Sequence, residues 1–73
     1  MENSTIKIHD VVALASDHPE RSLVRGQVGT VVEILSPTDF EVEFSDNKGR
    51  TYAELALPGS ELIVLHHQPV STA

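Results

Sequence analysis

The sequence predicts a small all-β domain, and three observations lead to that fold class. Several short segments alternate apolar with polar side chains or are rich in β-branched residues, which is typical of strands. No segment shows a 3.6-residue apolar period over the length of an ordinary helix. The 73 residues supply enough apolar side chains for one core and too few for two. We therefore expect a single domain built from strands.

Five strands are predicted, and their segments are DVVALA (10–15), QVGTVVEIL (27–35), FEVEFS (40–45), RTYAELAL (50–57) and LIVLH (62–66). The second strand carries apolar side chains on both faces, which favours a central or strongly coiled strand. Simple alternation assigns its residues to two faces, with Val28, Thr30, Val32 and Ile34 on one and Gly29, Val31, Glu33 and Leu35 on the other.

The third strand has the cleanest alternation in the chain. Phe40, Val42 and Phe44 are predicted to point inward, whereas Glu41 and Glu43 are predicted to point to water. The segment therefore predicts a strand with one core face and one solvent face.

The connections predict how these strands follow one another. A long first loop, SDHPERSLVR (16–25), is followed later by a turn at SPTD, a hairpin at DNKG and a single 3₁₀ turn at PGSE. In the hairpin, Asp46 or Asn47 can bond its own backbone, and Gly49 can take a positive φ. This order predicts a five-stranded SH3-like barrel over residues 10–66, preceded by a frayed segment, 1–9, and followed by a flexible tail, 67–73.

Gly26 and Gly29, in the segment RGQVG, are interpreted as structural residues. A phosphate-binding loop needs glycines that lead into a helix N-terminus, and here a strand follows. We expect Gly26 to occupy a turn conformation that other residues avoid, and Gly29 to allow a bulge or a close backbone crossing.

The segments LVRGQVGTVVEI, FEVEFSDNKGRTYAELAL and ELIVLH together resemble the bacterial family known as domain of unknown function 4926, over roughly residues 10–66. The resemblance implies the small barrel and assigns no reaction. It also implies an accessory or antitoxin-like protein that acts with the product of a neighbouring gene.

Composition narrows the classes of function. Eleven Asp and Glu against five Lys and Arg give a formal charge of −6, which disfavours nucleic acid and anionic membranes as partners. The absence of cysteine excludes disulfides and thiolate chemistry. The sequence shows no signal peptide and no apolar stretch of membrane-spanning length, so we expect a cytoplasmic protein.

Catalytic and metal sites find little support in the sequence. Ser16, Asp17 and His18 are the residue types of a hydrolase triad, but consecutive residues cannot line up as nucleophile, base and orienting group. His66 and His67 are adjacent on a predicted strand, so their side chains diverge and do not converge on one ion. We expect no enzyme activity, no cofactor and no metal site.

Acidic residues supply the first candidate binding surface. Glu41 and Glu43 on the third strand, with Glu33 and Glu54 on its neighbours, are expected to gather on one sheet face. Such a face can keep the protein soluble or can dock a basic protein. Arg50 is expected to lie beside Glu41 or Glu43 and to neutralise part of the charge.

The long first loop supplies the second candidate. Arg21 and Arg25 could bind carboxylates, and Leu23 and Val24 could serve as apolar anchors for a partner. Alternatively, Leu23 and Val24 could pack the loop onto an open end of the barrel.

These observations favour a non-enzymatic protein-binding module, a monomer or weak homodimer, whose partner is a basic protein or one encoded nearby. The alternative is a nucleic-acid-associated module similar to ribosomal KOW domains. That alternative is disfavoured because the outward positions of the middle strands carry glutamate where lysine, arginine and aromatic residues would be needed.

Overall fold

The computed structural model describes residues 6–67 and 69, and within them it contains five strands and two single-turn 3₁₀ helices. The strands are β1 (Val11–Leu14), β2 (Val28–Ile34), β3 (Asp39–Ser45), β4 (Thr51–Pro58) and β5 (Leu62–Val64). The 3₁₀ helices are η1 (Pro19–Arg21) in the long loop and η2 (Gly59–Glu61) before the last strand. The all-β prediction is therefore confirmed, with every strand and the final 3₁₀ turn in the expected place.

The N-terminal segment lies against the sheet from Ile6 onward. Ile6 packs on the hydrophobic core, and the His9 N–H donates to the carbonyl of Val31 at 2.7 Å. The rest of the predicted frayed segment and most of the predicted tail, residues 1–5, 68 and 70–73, lie outside the described residues.

The strands form one antiparallel sheet in the order β4-β3-β2-β1-β5. The central position predicted for β2 is confirmed. No ladder joins β4 to β5 within the described residues, so the sheet is open and the predicted barrel is confirmed only in part. The three residues of β5 pair with β1. So short a strand offers little backbone for a second ladder on its other edge.

The core lies on one side of this sheet and draws on every strand. Phe44, Val42 and Phe40 are 0%, 0% and 6% exposed, which confirms the inward face predicted for β3. The two edge strands contribute to the same cluster, through Leu57 of β4 and Leu62 of β5. Every strand of the open sheet therefore contributes side chains to one core.

A bulge in β2 corrects the faces predicted for its second half. Val31 lies opposite Val42, but the next pair joins Glu33 to Glu41, so Val32 is an extra residue without a partner. The bulge moves Glu33 to the solvent face and moves Ile34 to the face of Phe40, the reverse of strict alternation.

Both glycines of the second strand's entrance are structural, as predicted. Gly26 has a φ of +92°, in the left-handed region that glycine adopts readily. At Gly29, a Cβ atom would lie 2.8 Å from a Val42 methyl group and 2.9 Å from the Glu43 carbonyl oxygen. Gly29 therefore allows the close approach of β3, while the bulge lies further along β2.

Asp46 organises the hairpin between β3 and β4. Its Oδ1 accepts from the backbone N–H groups of Lys48 (2.8 Å) and Arg50 (3.0 Å), and Gly49 takes a φ of +80° as predicted. These donors, that of Arg50 first, hold the pKa of Asp46 below its usual value. The Arg50 side chain also pairs with Asp46, because its Nε lies 3.5 Å from Asp46 Oδ2. The prediction that Arg50 neutralises Glu41 or Glu43 is therefore wrong, because the turn provides a nearer carboxylate.

Candidate functional site

The outward side of β2, β3 and β4, opposite the core, carries the four predicted glutamates close together. Glu33 lies opposite Glu41, and Glu43 lies opposite Glu54. Residues directly opposite in antiparallel strands point to the same side and have Cβ atoms about 4.5–5.5 Å apart. We call Glu33, Glu41, Glu43 and Glu54 the acidic face.

The carboxylates of the acidic face repel one another. Partial burial, a hydrogen bond with Glu54 and the negative charges of Glu54 and Glu33 together raise the pKa of Glu41. Burial is the largest of these causes, and the charges of Glu54 and Glu33 act in the same direction. An approaching cation would relieve this repulsion.

No cation of the chain reaches the acidic face within the described residues. The ion pairs among the described residues join His18 to Glu20, His18 to Glu61 and Arg50 to Asp46. None of them includes a glutamate of the acidic face. The Thr51 hydroxyl donates to Glu43 Oε2 at 2.8 Å, which orients that carboxylate and leaves its charge in place. The face therefore presents net negative charge to solvent.

The first loop is held down rather than free. His18 and Leu23 form an isolated antiparallel bridge, and the Arg25 N–H donates to Asp17 Oδ1 at 2.8 Å. Leu23 is 1% exposed and belongs to the core, so it is packed under the loop and cannot anchor a partner. This corrects one predicted binding residue. Its neighbour Val24 is 57% exposed.

Arg21 and Arg25 are also exposed, so three of the four loop residues predicted to bind are accessible. Their positions differ from that of the acidic face. Arg21 ends η1, and Arg25 precedes the turn at Gly26 that leads into β2. The loop is thus a second, separate accessible surface.

Ser16, Asp17 and His18, which have the residue types of a hydrolase triad, contact other groups. Ser16 Oγ lies 3.5 Å from Glu61 Oε1, and His18 Nε2 lies 2.5 Å from the same oxygen. The other ring nitrogen of His18 lies 3.5 Å from Glu20 Oε2, and Asp17 accepts a backbone hydrogen bond. No contact joins the serine to the histidine as nucleophile to base. The cluster fastens the loop to η2.

The remaining histidines do not assemble a metal site in the part of the chain that is described. His66 and His67 are exposed beyond β5, and His9 lies in a turn before β1. Among the described residues, no group of three or more His, Asp or Glu side chains could hold a metal ion.

A shallow depression lies at the β3–β4 hairpin. Its volume is about 380 Å³, and its walls come from Ser45, Asp46, Asn47, Lys48, Arg50 and Tyr52. Residues of the turn form most of it, and their one carboxylate, that of Asp46, already accepts hydrogen bonds from the backbone. We assign it no ligand.

Sequence reasoning missed an apolar row beside the acidic face. Ile63, Ala13 and Val28 lie opposite one another across β5, β1 and β2, and Ile63 and Val28 are 51% and 47% exposed. Alternation along β5, whose sequence is LIV, could have revealed this row, because Leu62 is buried and the next residue, Ile63, is exposed. The outward side of the sheet is thus apolar towards β5 and acidic towards β4.

Comparisons with known proteins identify a family for this chain and no individual relative. No helix among the described residues is long and apolar enough to cross a membrane. Neither a curated protein nor a solved structure matches the chain significantly. One family model, described as Domain of unknown function (DUF4926), matches residues 8–64, which include all five strands. The chain therefore belongs to the DUF4926 family.

Proposed function

We propose that this protein is a non-enzymatic, cytoplasmic protein-binding module whose acidic face docks a basic surface of a protein partner. The observation that carries the proposal is that four glutamates share one outward face without a cation from the described chain. Charge held in this way raises the rate at which an oppositely charged partner associates.

The packing of the sheet supports this assignment. Glu41 and Glu43 alternate with fully or nearly fully buried residues of β3, so their backbone is fixed by the core. A rigid strand presents its side chains without a large loss of conformational entropy on binding. The acidic face is therefore organised before a partner arrives.

The exposed loop residues Arg21, Val24 and Arg25 are a secondary contact surface in this proposal. In the cell, the protein would act as an accessory or antitoxin-like partner for the product of a neighbouring gene. It would act as a monomer or weak homodimer, without a cofactor. The net charge of −6 supports a basic partner over nucleic acid.

The test is capture of the products of adjacent genes by the immobilised full chain. Glu54→Lys is compared with Glu20→Lys, because both reverse one exposed charge and only Glu54 belongs to the acidic face. We expect the Glu54 variant to lose the partner and the Glu20 variant to keep it, with capture weakening as salt rises. Equal capture by both variants would contradict the proposal.

A labelled RNA or DNA oligonucleotide, titrated at low salt, separates this proposal from the nucleic-acid alternative. We expect no binding, because the acidic face repels a phosphate backbone. Salt-sensitive binding of the oligonucleotide would favour the KOW-like alternative instead.

A further inference from the structure

One edge of the sheet is formed by β4, and no other strand pairs with that edge within the described residues. β4 spans Thr51–Pro58, the longest strand of the sheet, and within the described residues it is hydrogen-bonded to β3 alone. A long edge strand exposes main-chain donors and acceptors that can pair with another strand. Most proteins cover or shorten such an edge.

The register shows which main-chain groups are free. The Gly59 N–H donates to the Thr38 carbonyl at 2.8 Å, and in an antiparallel ladder the residues that bond across recur every second position. Leu57 and Leu55, which lie opposite Phe40 and Val42, therefore bond to β3. The N–H and C=O groups of Ala56 and Glu54, which lie between them, point away from the sheet.

The free main-chain groups and the acidic face lie side by side. Glu54 belongs to both features, and Ala56 lies opposite Glu41. A strand added along β4 would place one residue beside Glu54 and, two positions away, a second beside Ala56, both on the outward side. A long side chain at the second position would extend over the small alanine towards Glu41.

We propose that β4 accepts an extended segment of a basic protein as a sixth, antiparallel strand, with lysine or arginine at alternate positions above the acidic face. The inference rests on the proposed function and specifies the form of the partner. Main-chain hydrogen bonds to Glu54 and Ala56 supply affinity, and the carboxylates select the alternating cations. The antiparallel direction matches every other pair in the sheet.

Charge argues against a second copy of this chain as the occupant. Two copies paired through β4 would bring Glu54 and the rest of each acidic face next to the other, and each copy carries a formal charge of −6. Pro58 limits the ladder further, since it has no N–H to donate. The edge is therefore unsuited to self-association and suited to a cationic strand.

The test uses the full chain and two fluorescent heptapeptides of the same composition. In one, four lysines alternate with threonine or valine, and in the other the four lysines form one block. We expect the alternating peptide to bind about tenfold more tightly, because only it can pair as a strand with every lysine on one side. Methylation of the backbone nitrogens of its two central lysines should abolish this advantage.

Ala56→Pro removes the free N–H and retains all four glutamates, with Ala56→Ser as the matched control. Proline is tolerated on the open side of an edge strand, so the variant should fold like the parent by circular dichroism. We expect it to lose the preference for the alternating peptide, whereas Ala56→Ser keeps it. In the parent, the amide protons of Glu54 and Ala56 should become protected from exchange when the peptide is bound.

Equal binding of the two peptides, with no effect of N-methylation, would overturn strand addition. It would leave the proposed function intact, provided that Glu54→Lys still weakens both peptides. Failure of both peptides to bind would also overturn strand addition, while the proposed function is decided separately by capture of the neighbouring gene products. If Ala56→Pro does not fold, the N-methylated peptide tests the same main-chain hydrogen bonds with the parent protein.

Discussion

The two sides of β3 differ as much as any two regions of the molecule. Phe40, Val42 and Phe44 are buried in the core, whereas Glu41 and Glu43 face solvent among other carboxylates. One side packs in the core and stabilises the fold, whereas the carboxylates of the other side repel one another. The two kinds of residue nevertheless alternate along a single strand. Stability and surface charge can therefore be altered separately in this strand, and substitutions on each side test that separation.

Phe44→Ala should have the largest effect. Phe44 is fully buried against several strands, and loss of such a side chain costs about 3–5 kcal/mol. That cost approaches the whole free energy of unfolding of a small domain, about 5 kcal/mol at the low end. Denaturant unfolding measures it, with Glu43→Gln on the opposite side as the control that should unfold near the parent. If the two variants unfold alike, the two sides of β3 do not divide as described.

Leu23→Ala and Val24→Ala extend the comparison to the first loop. Leu23 is 1% exposed and Val24 is 57% exposed, so only the first substitution leaves a cavity. We expect Leu23→Ala to cost about 2–5 kcal/mol and Val24→Ala to change stability by less than about 0.5 kcal/mol. Thermal unfolding distinguishes them. A large loss from Val24→Ala would show that the loop packs in a different register.

Gly29→Ala tests how closely β2 and β3 approach on the core side. The added methyl group would meet Val42, Phe44 and the Glu43 carbonyl, all within 2.9 Å. Forcing a methyl group into packed structure costs about 1–3 kcal/mol. Thr30→Ala, on the other side of the same strand, is the control. Unchanged stability of Gly29→Ala in chemical denaturation would show that the approach is looser than described.

Glu41→Gln should have the smallest effect, and its sign should depend on pH. Because the pKa of Glu41 is raised in the folded state, the folded protein binds this proton more tightly than the unfolded chain does. Wild-type stability therefore falls as pH rises above the ordinary glutamate pKa of 4.5. Glu41→Gln lacks this loss, so its melting temperature should exceed the parent's at pH 7 and converge with it below pH 4.5. A difference that does not change with pH would exclude like-charge repulsion as its cause.

β3 and its hairpin to β4 could be predicted from the sequence because local signals agree there. Strict alternation in FEVEFS assigns the faces, and Asp46 with Gly49 closes the turn. Each of these signals acts over a few residues, so no distant contact is needed to interpret them. The outward positions of Glu41 and Glu43 within the acidic face followed from the same alternation.

The β2 bulge could not be predicted, because an inserted residue leaves the run of apolar side chains unbroken. Val31 and Val32 are both valines, and nothing in their identity shows that one of them lacks a partner on β3. Strict alternation therefore placed Glu33 on the side of Val31. The tertiary pairing decides the side, and it moves Glu33 onto the acidic face.

The open form of the sheet and the free edge of β4 also depend on more than local sequence. β4 and β5 do not pair within the described residues, although only η2 separates them in the chain. The choice between Leu23 and Val24 as the packed loop residue is similar, because the bridge between His18 and Leu23 fixes it. Adjacent apolar residues in a loop do not show which one turns inward.

Val12 of β1 pairs with Gly29 on one side and with Val64 on the other, so β1 is complete only after the last strand has been synthesised. A chain emerges from the ribosome N-terminus first, so β2, β3 and β4 can join their neighbours while β1 still lacks one partner. Contacts between distant residues form slowly, which makes the arrival of β5 a late step. A nascent chain stalled before Leu62 would expose a naked β1 edge, a natural point for chaperone capture or for aggregation.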